Sequence, residues 1–343
     1  MHRISKLIVA ETPHLQCFFP AGERTYLPEL RELAIIRSLG DSKHPYMKRP
    51  QSIGQVNIPG ILRVHIFSIL RWDQLLITGE ALTWFKCLIS PLDPCDLASL
   101  LVQSPNLTKL HIGYREDGAH PGFPGLSLPT IRLPKLDSVH ITWTSGRRPQ
   151  ADCLGQIFQK LQTPSLRSVR IGKDDFRDRR MDILPALSTW LSSTESKLQK
   201  LHMDLGMYPV IPPEELRALL VALPNLTNLL IGGTVQLNAA VELLNRNLNP
   251  YICPKLTTLK YYFCDVALDA LDGVVRSRME PTGNPDEDEL LKSLRVEGGC
   301  WFDQDGQATG NDSFRCPYIT ELKNDYPGVV YFEFIGDTPR VRI

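Results

Sequence analysis

The side chains best suited to chemistry are eight histidines and eight cysteines, and four of the histidines share one local context. His65, His111, His140 and His202 each stand between two apolar residues, in the strings VHI, LHI, VHI and LHM. Arg170, Lys260 and Arg295 hold the same place in VRI, LKY and LRV, and Leu230 holds it in LLI. An imidazole can ligate a metal, move a proton, or turn cationic as the pH falls through about 6.5. A shared metal needs neighbouring histidines, and Arg170 falls between His140 and His202 in this series. The mixture of His, Arg and Lys suits recognition of an acidic partner better. Tyr262 lies two residues beyond Lys260, and it and Trp143 are the aromatic candidates for a partner contact. The candidate binding residues are therefore His65, His111, His140, Arg170, His202, Lys260, Arg295 and Tyr262.

Other constellations are weaker. Cys17, Cys87, Cys95, Cys153, Cys253, Cys264, Cys300 and Cys316 are scattered with no C-x-x-C pair, which argues for free thiols and against a zinc site. Neither a phosphate-binding glycine motif, nor a metalloprotease H-E-x-x-H, nor a G-x-S-x-G nucleophile elbow occurs. The acidic run Asp286, Glu287, Asp288, Glu289 follows Pro281, Gly283 and Pro285 and reads as a solvated loop. Asp174, Asp175, Arg177, Asp178, Arg179 and Arg180 read as a mixed-charge loop of local ion pairs. No catalytic residue, cofactor or metal is expected.

The elements that must position the series are set by a repeat. SPNLTKLHI, LPKLDSVHI, TPSLRSVRI, LPNLTNLLI and CPKLTTLKY share the frame Pro-x-Leu-x-x-(Leu/Val)-x-(Ile/Tyr). The prolines Pro105, Pro134, Pro164, Pro224 and Pro254 are separated by 29, 30, 60 and 30 residues. The long step holds a degenerate copy, SKLQKLHM, with Ser196 in the proline slot. Earlier copies are LPELRELAI, IPGILRVHI and the fragment ISKLIV; LLKSLRV is a later one, and GVVYFEFIG reads as a terminal strand. Two alternating apolar residues at the end of the frame make a short strand with one buried face. The leucine before them enters the core, and the proline shapes a turn where no ladder hydrogen bond is needed.

Between the strands, DPCDLASLLVQ, PPEELRALLVAL and LNAAVELLNRNL carry apolar residues at helical spacing. Pro213 followed by Glu214 and Glu215 suits a helix start. A strand plus a helix in about 30 residues predicts an α/β leucine-rich repeat solenoid, with a parallel concave sheet and helices on the convex face. We expect a single solenoid of about ten irregular repeats over residues 1–343, with 297–343 as a C-terminal cap. The Asn of the common leucine-rich template is missing. Its slot, which in that template takes Asn or Cys, holds Arg115, Thr144, Asp174, Gly206, Thr234, Cys264 and Gly299; only Cys264 fits, so the turns should be irregular. Loops are expected at 114–131 and 279–290, where Gly and Pro cluster. Residues between the two apolar strand positions point away from the core, so the His, Arg and Lys series should line the concave face.

Composition agrees with a folded protein outside the membrane. The chain has 343 residues, 43% of them hydrophobic, and a formal net charge of +0 from 38 basic and 38 acidic side chains. That balance disfavours a dedicated nucleic-acid binder and excludes wholesale disorder. No run approaches the roughly 18 apolar residues needed to span a bilayer, and the N-terminal apolar stretch at 7–10 is too short for a signal peptide. A cytoplasmic or nuclear monomer is expected. Sequons occur at Asn106, Asn225 and Asn311; the first two lie in the repeated string PNLT, so repetition explains them better than glycosylation.

Residues 58–112 run IPGILRVHI, then LRWDQLLI, then LVQSPNLTKLHI. This order resembles the leucine-rich repeat region of F-box proteins of the kind expanded in mushroom-forming fungi, in which a P-W-S-Q-L string follows a P-N-L-R repeat. Arg71, Trp72, Asp73, Gln74 and Leu75 correspond to that string, with Arg71 in place of the proline and Asp73 in place of the serine. The resemblance extends from about Ile4 to Val296. It implies the substrate-recognition part of a ubiquitin-ligase receptor, a non-enzymatic scaffold that holds a protein partner, and it implies a ligase adaptor as a further partner. An F-box itself is not visible, since residues 1–30 already fit a repeat. The alternative is a binder of nucleic acid or another anionic ligand through a basic concave face.

Overall fold

The structure, a computed structural model, describes residues 4–11, 19, 23–37, 55–66, 75–77, 79–88, 94–115, 128–144, 153–173, 184–193, 197–204, 213–232, 238–262, 266–280, 289–297, 301–302 and 317–333. The string 71–74, most of the two expected loops, the mixed-charge stretch 174–180 and Asn311 lie outside these residues. The chain divides into two compact units, Met1–Arg167 and Ser168–Ile343. Both mix helices with parallel strands.

In the first unit six strands lie side by side in chain order: β1 (Lys6–Glu11), β2 (Glu32–Arg37), β3 (Arg63–Ile66), β4 (Trp84–Cys87), β5 (Lys109–Arg115) and β6 (Ser138–Thr144). All pairings are parallel, and Leu33, Val64, Phe85, Leu110 and Val139 fall in one register column. The second unit repeats the plan with β7 (Ser168–Lys173), β8 (Lys200–Asp204), β9 (Asn228–Gly232), β10 (Thr258–Tyr262), β11 (Ser293–Glu297) and β12 (Val330–Glu333). Its inner column is Val169, Leu201, Leu229, Leu259, Leu294 and Val330. Every member of both columns is buried, as is the leucine that precedes each strand at Leu107, Leu136, Leu166, Leu198, Leu226 and Leu256. Parallel strands joined in chain order need long crossovers, and the chain between strands supplies them.

The turn before the strand works as its sequence suggests. The N–H groups of Leu30, Leu107, Leu136, Leu166, Leu226 and Leu256 each donate to the carbonyl three residues back, at 3.1–3.3 Å. That places Pro28, Pro105, Pro134, Pro164, Pro224 and Pro254 second in the turn, where a fixed φ helps and no N–H is needed. The missing asparagine stack has a substitute at the strand entry. Thr83 Oγ1 donates to the Leu62 carbonyl at 3.0 Å, and Thr108 Oγ1 to the Thr83 carbonyl at 2.9 Å. In the second unit Thr227 and Thr257 do the same toward the Gln199 and Thr227 carbonyls. The repeated PNLT asparagines also bridge neighbouring turns: Asn106 Nδ2 donates to the Glu80 carbonyl at 2.7 Å, and Lys255 Nζ donates to Asn225 Oδ1 at 3.0 Å.

Two of the three expected helices form at nearly the expected length, α1 (Pro94–Val102) and α4 (Pro213–Val221), the latter opening on Pro213 with both acids in its first turn. The third, α5 (Asn238–Leu243), is six residues long, because Asn245 Oδ1 takes the Asn247 N–H and the chain turns instead of continuing. Four further helices, α2 (Cys153–Lys160), α3 (Leu184–Ser192), α6 (Leu268–Met279) and α7 (Pro317–Asp325), form in the chain between strands, and α6 buries Leu268, Leu271, Val274 and Val275 at helical spacing. In the first unit, part of the linking chain is extended: Arg24–Tyr26, Gln55–Asn57 and Leu75–Leu76 form a short parallel ladder of their own. The first residues of both expected loops belong to regular elements, since β5 runs on to Arg115 and α6 holds Met279.

Candidate functional site

Strand alternation sends every second side chain to the face opposite the core. In the first unit the central outward column is Ile8, Ala34, His65, Lys86, His111 and His140. His65, His111 and His140 thus share one row, as expected, but they are not consecutive, because β4 inserts Lys86 between His65 and His111. His111 and His140 are direct neighbours, and their rings stack with centroids 3.8 Å apart and planes 20° from parallel. His111 Nε2 and Thr142 Oγ1 form a hydrogen bond of 3.3 Å. The next outward column, two residues earlier, contains Lys6, Glu32, Arg63, Trp84, Lys109 and Ser138.

Trp84 is the centre of this face. The His65 ring meets it edge-on at a centroid distance of 4.4 Å. The Arg63 guanidinium lies 5.8 Å from the indole centroid and the Lys109 ammonium 5.9 Å from it, one from each neighbouring strand. Cations this close to an indole are held by its quadrupole. His65 Nε2 is buried without a hydrogen-bond partner among the described residues. Burial is the main reason the His65 pKa falls below its ordinary value; Lys86, Arg63 and Lys6 push the same way and Glu32 opposes them. A ladder charging all four histidines together near pH 6.5 is therefore corrected at His65, which stays neutral to lower pH. Glu32 is bonded to Lys6 Nζ at 2.9 Å, and that bond holds its carboxyl below the usual range.

In the second unit the column is Arg170, His202, Leu230, Lys260, Arg295 and Tyr331. Here the cations of the row meet an acid from the neighbouring outward column. Glu297, buried at 6% exposure, takes Lys260 Nζ at 2.8 Å and also pairs with Arg295 Nε. Two of the expected binding cations therefore share one carboxylate. Tyr262 stands in the neighbouring outward column with Asp204, Gly232 and Glu297. The Lys260 ammonium is 5.7 Å from its ring centroid. Burial first, and then Asp204 and Glu297, push the Tyr262 phenol pKa up. Arg170 is exposed beside His202. Trp143 pairs in backbone register with Tyr114.

The sequence reading missed Trp84 and Lys86 as parts of this surface. The available signal was Leu82-x-x-Phe85-x-Cys87, which fits the frame without its proline; the turn is closed by the Leu82 N–H on the Gly79 carbonyl at 3.0 Å. Cys87 and Cys253 are buried free thiols, and burial pushes the Cys253 pKa up to about 12, far from a reactive thiolate. Among the described residues no three His, Cys, Asp or Glu side chains gather as a metal site. No helix among them is long and apolar enough to cross a membrane. No family model matches the chain, and no curated protein matches it.

Proposed function

We propose that the chain is a non-enzymatic protein-interaction scaffold of the leucine-rich repeat kind, acting in the cytoplasm or nucleus, whose concave sheet face holds a protein partner. The observation that carries this reading is the outward column itself. His65, Lys86, His111 and His140 are in register within one unit, and Arg170, His202, Leu230, Lys260 and Arg295 are in register within the other, each set on the side of its own strands that the core does not use. A parallel sheet presenting polar and aromatic side chains at a repeat of about 4.8 Å is a broad, rigid surface. The resemblance to F-box proteins supports the substrate-recognition half of a ubiquitin-ligase receptor as the specific role.

The test is capture from a cell extract on the immobilised full chain, followed by identification of the retained proteins by mass spectrometry. The captured partner should be lost with Lys86→Glu or Arg170→Glu and kept with Arg217→Glu, an exposed position on α4. Equal retention by all three variants would refute the face. Recovery of a ligase adaptor with the partner would support the receptor role.

A further inference from the structure

Within that reading, the two outward faces differ in a way that points to the partner's chemistry. In the second unit Asp204 and Glu297 are outward acids beside the cation column, and Glu297 binds two of its cations. In the first unit strands β3, β4 and β5 present Arg63, His65, Trp84, Lys86, Leu88, Lys109, His111 and Gly113 outward, with no acid among them. Glu32, on the adjoining strand β2 and in register with Arg63, is bonded to Lys6. Arg63 and Lys109 are exposed, and no carboxylate among the described residues lies within ion-pair distance of either. Both are steered by the Trp84 ring instead.

We propose that the outer face of β3, β4 and β5 docks an acidic peptide segment of the partner, with Arg63 and Lys109 as its anchoring cations and Trp84 as the apolar floor between them. The proposal rests on the interaction-face reading and narrows it to one unit and one ligand chemistry. A cation held against an indole is partly desolvated and pre-oriented, so a carboxylate gains more from it than from a freely moving side chain. Strands are about 4.8 Å apart, which places the two anchors on the order of 10 Å from one another. An extended peptide carries alternate side chains on one side about 7 Å apart, so glutamates at every second or third position reach both. Nucleic acid fits less well. Its bases need open aromatic platforms in succession, whereas the one tryptophan described on this face already has two cations within 6 Å of its centroid. The chain also has no basic excess, at net charge +0.

The experiment is fluorescence anisotropy on the full chain with a labelled alternating Glu-Ser peptide of about 12 residues. An alternating Gln-Ser peptide and an oligothymidylate of similar length serve as comparisons. Saturable binding of the Glu-Ser peptide is expected, weakening as salt rises from about 50 to about 300 mM. The pair Arg63→Glu and Lys109→Glu should weaken it by about tenfold or more, and Arg217→Glu, on the exposed side of α4, should leave it unchanged. If the charge-reversed pair does not fold, Arg63→Gln with Lys109→Gln should show the same direction of loss. Failure of the Glu-Ser peptide to saturate, equal binding of the Gln-Ser peptide, tighter binding of the oligothymidylate, or an equal loss with Arg217→Glu would each overturn the proposal. Partner capture that depends on Arg170 while the Glu-Ser peptide does not bind would overturn this inference and leave the interaction face standing.

Discussion

Replacing Arg278 by methionine should destabilise the second unit by about 3 kcal/mol, and the structure fixes each contribution. Arg278 sits on α6 with no solvent exposure, and among the described residues no carboxylate pairs with it. Its guanidinium donates instead to three backbone carbonyls: Nε to Leu244 at 2.7 Å, Nη2 to Ile252 at 2.9 Å and Nη1 to Cys253 at 3.0 Å. These carbonyls belong to the chain that turns from α5 toward β10, where Cys253 takes a left-handed φ of 47°. Methionine fills similar space but leaves three acceptors without their donors, at about 1–3 kcal/mol each. Against this, a buried charge is removed. Burial lowers the Arg278 pKa to about 10, which corresponds to about 3 kcal/mol of charge burial relieved. Central values of the two effects leave a net loss of about 3 kcal/mol. Lysine should be no better than methionine, because it keeps the buried charge and reaches fewer carbonyls. Urea unfolding followed by circular dichroism, with amide exchange read across 244–253, measures both the cost and its location. A methionine variant within about 0.5 kcal/mol of wild type, with exchange at 244–253 unchanged, would refute the claim that the guanidinium holds this turn.

Other predictions follow the same logic. Leu229→Ala opens a cavity in a buried column between Leu201 and Leu259, and should cost about 2–5 kcal/mol in urea unfolding; a cost under about 1 kcal/mol would mean the column is not packed. His65→Gln should remove a pH dependence. The folded-state pKa of His65 lies below its ordinary value, so folding binds fewer protons and wild-type stability falls as the pH drops from about 6.5 toward that lower pKa. Thermal melts at pH 8 and pH 5 should show a smaller difference for the variant than for wild type, and identical differences would exclude His65 as the source.

The inner and outer columns were legible because a strand has a period of two and the frame fixes its phase. Once Leu110 and Ile112 are inside, His111 must be outside, and the same holds for Lys260 between Leu259 and Tyr261. What could not be read is which outward residues bond to one another. Glu297 lies two positions beyond Arg295 but 37 residues beyond Lys260, so its claim on Lys260 appears only when β10 and β11 are set in register. The Trp84 strand escaped notice because its turn uses Gly79 and Glu80 where other copies place a proline. Arg278 was silent for a different reason: its partners are carbonyls, and every residue has one. The early end of α5 was hidden in the same way, since the apolar spacing of LNAAVELLNRNL continues past the point where Asn245 turns the chain.

The chain-order pairing of strands also bears on how the protein reaches its native state. Within each unit every strand of the main sheet pairs with the strand before and after it in the chain, and the widest such link, from Leu294 to Val330, spans 36 residues. Loop-closure entropy grows only with the logarithm of loop length, so each new pairing meets a similar, modest barrier. No strand has to wait for a distant part of the sequence, which is the usual reason that sheet proteins fold slowly. A chain leaving the ribosome can therefore add one strand for every thirty or so residues synthesised, with the newest strand always the exposed edge. During synthesis the vulnerable surface is that moving edge, so a chaperone protecting it would need to recognise a single unpaired strand and not a wholly unfolded chain.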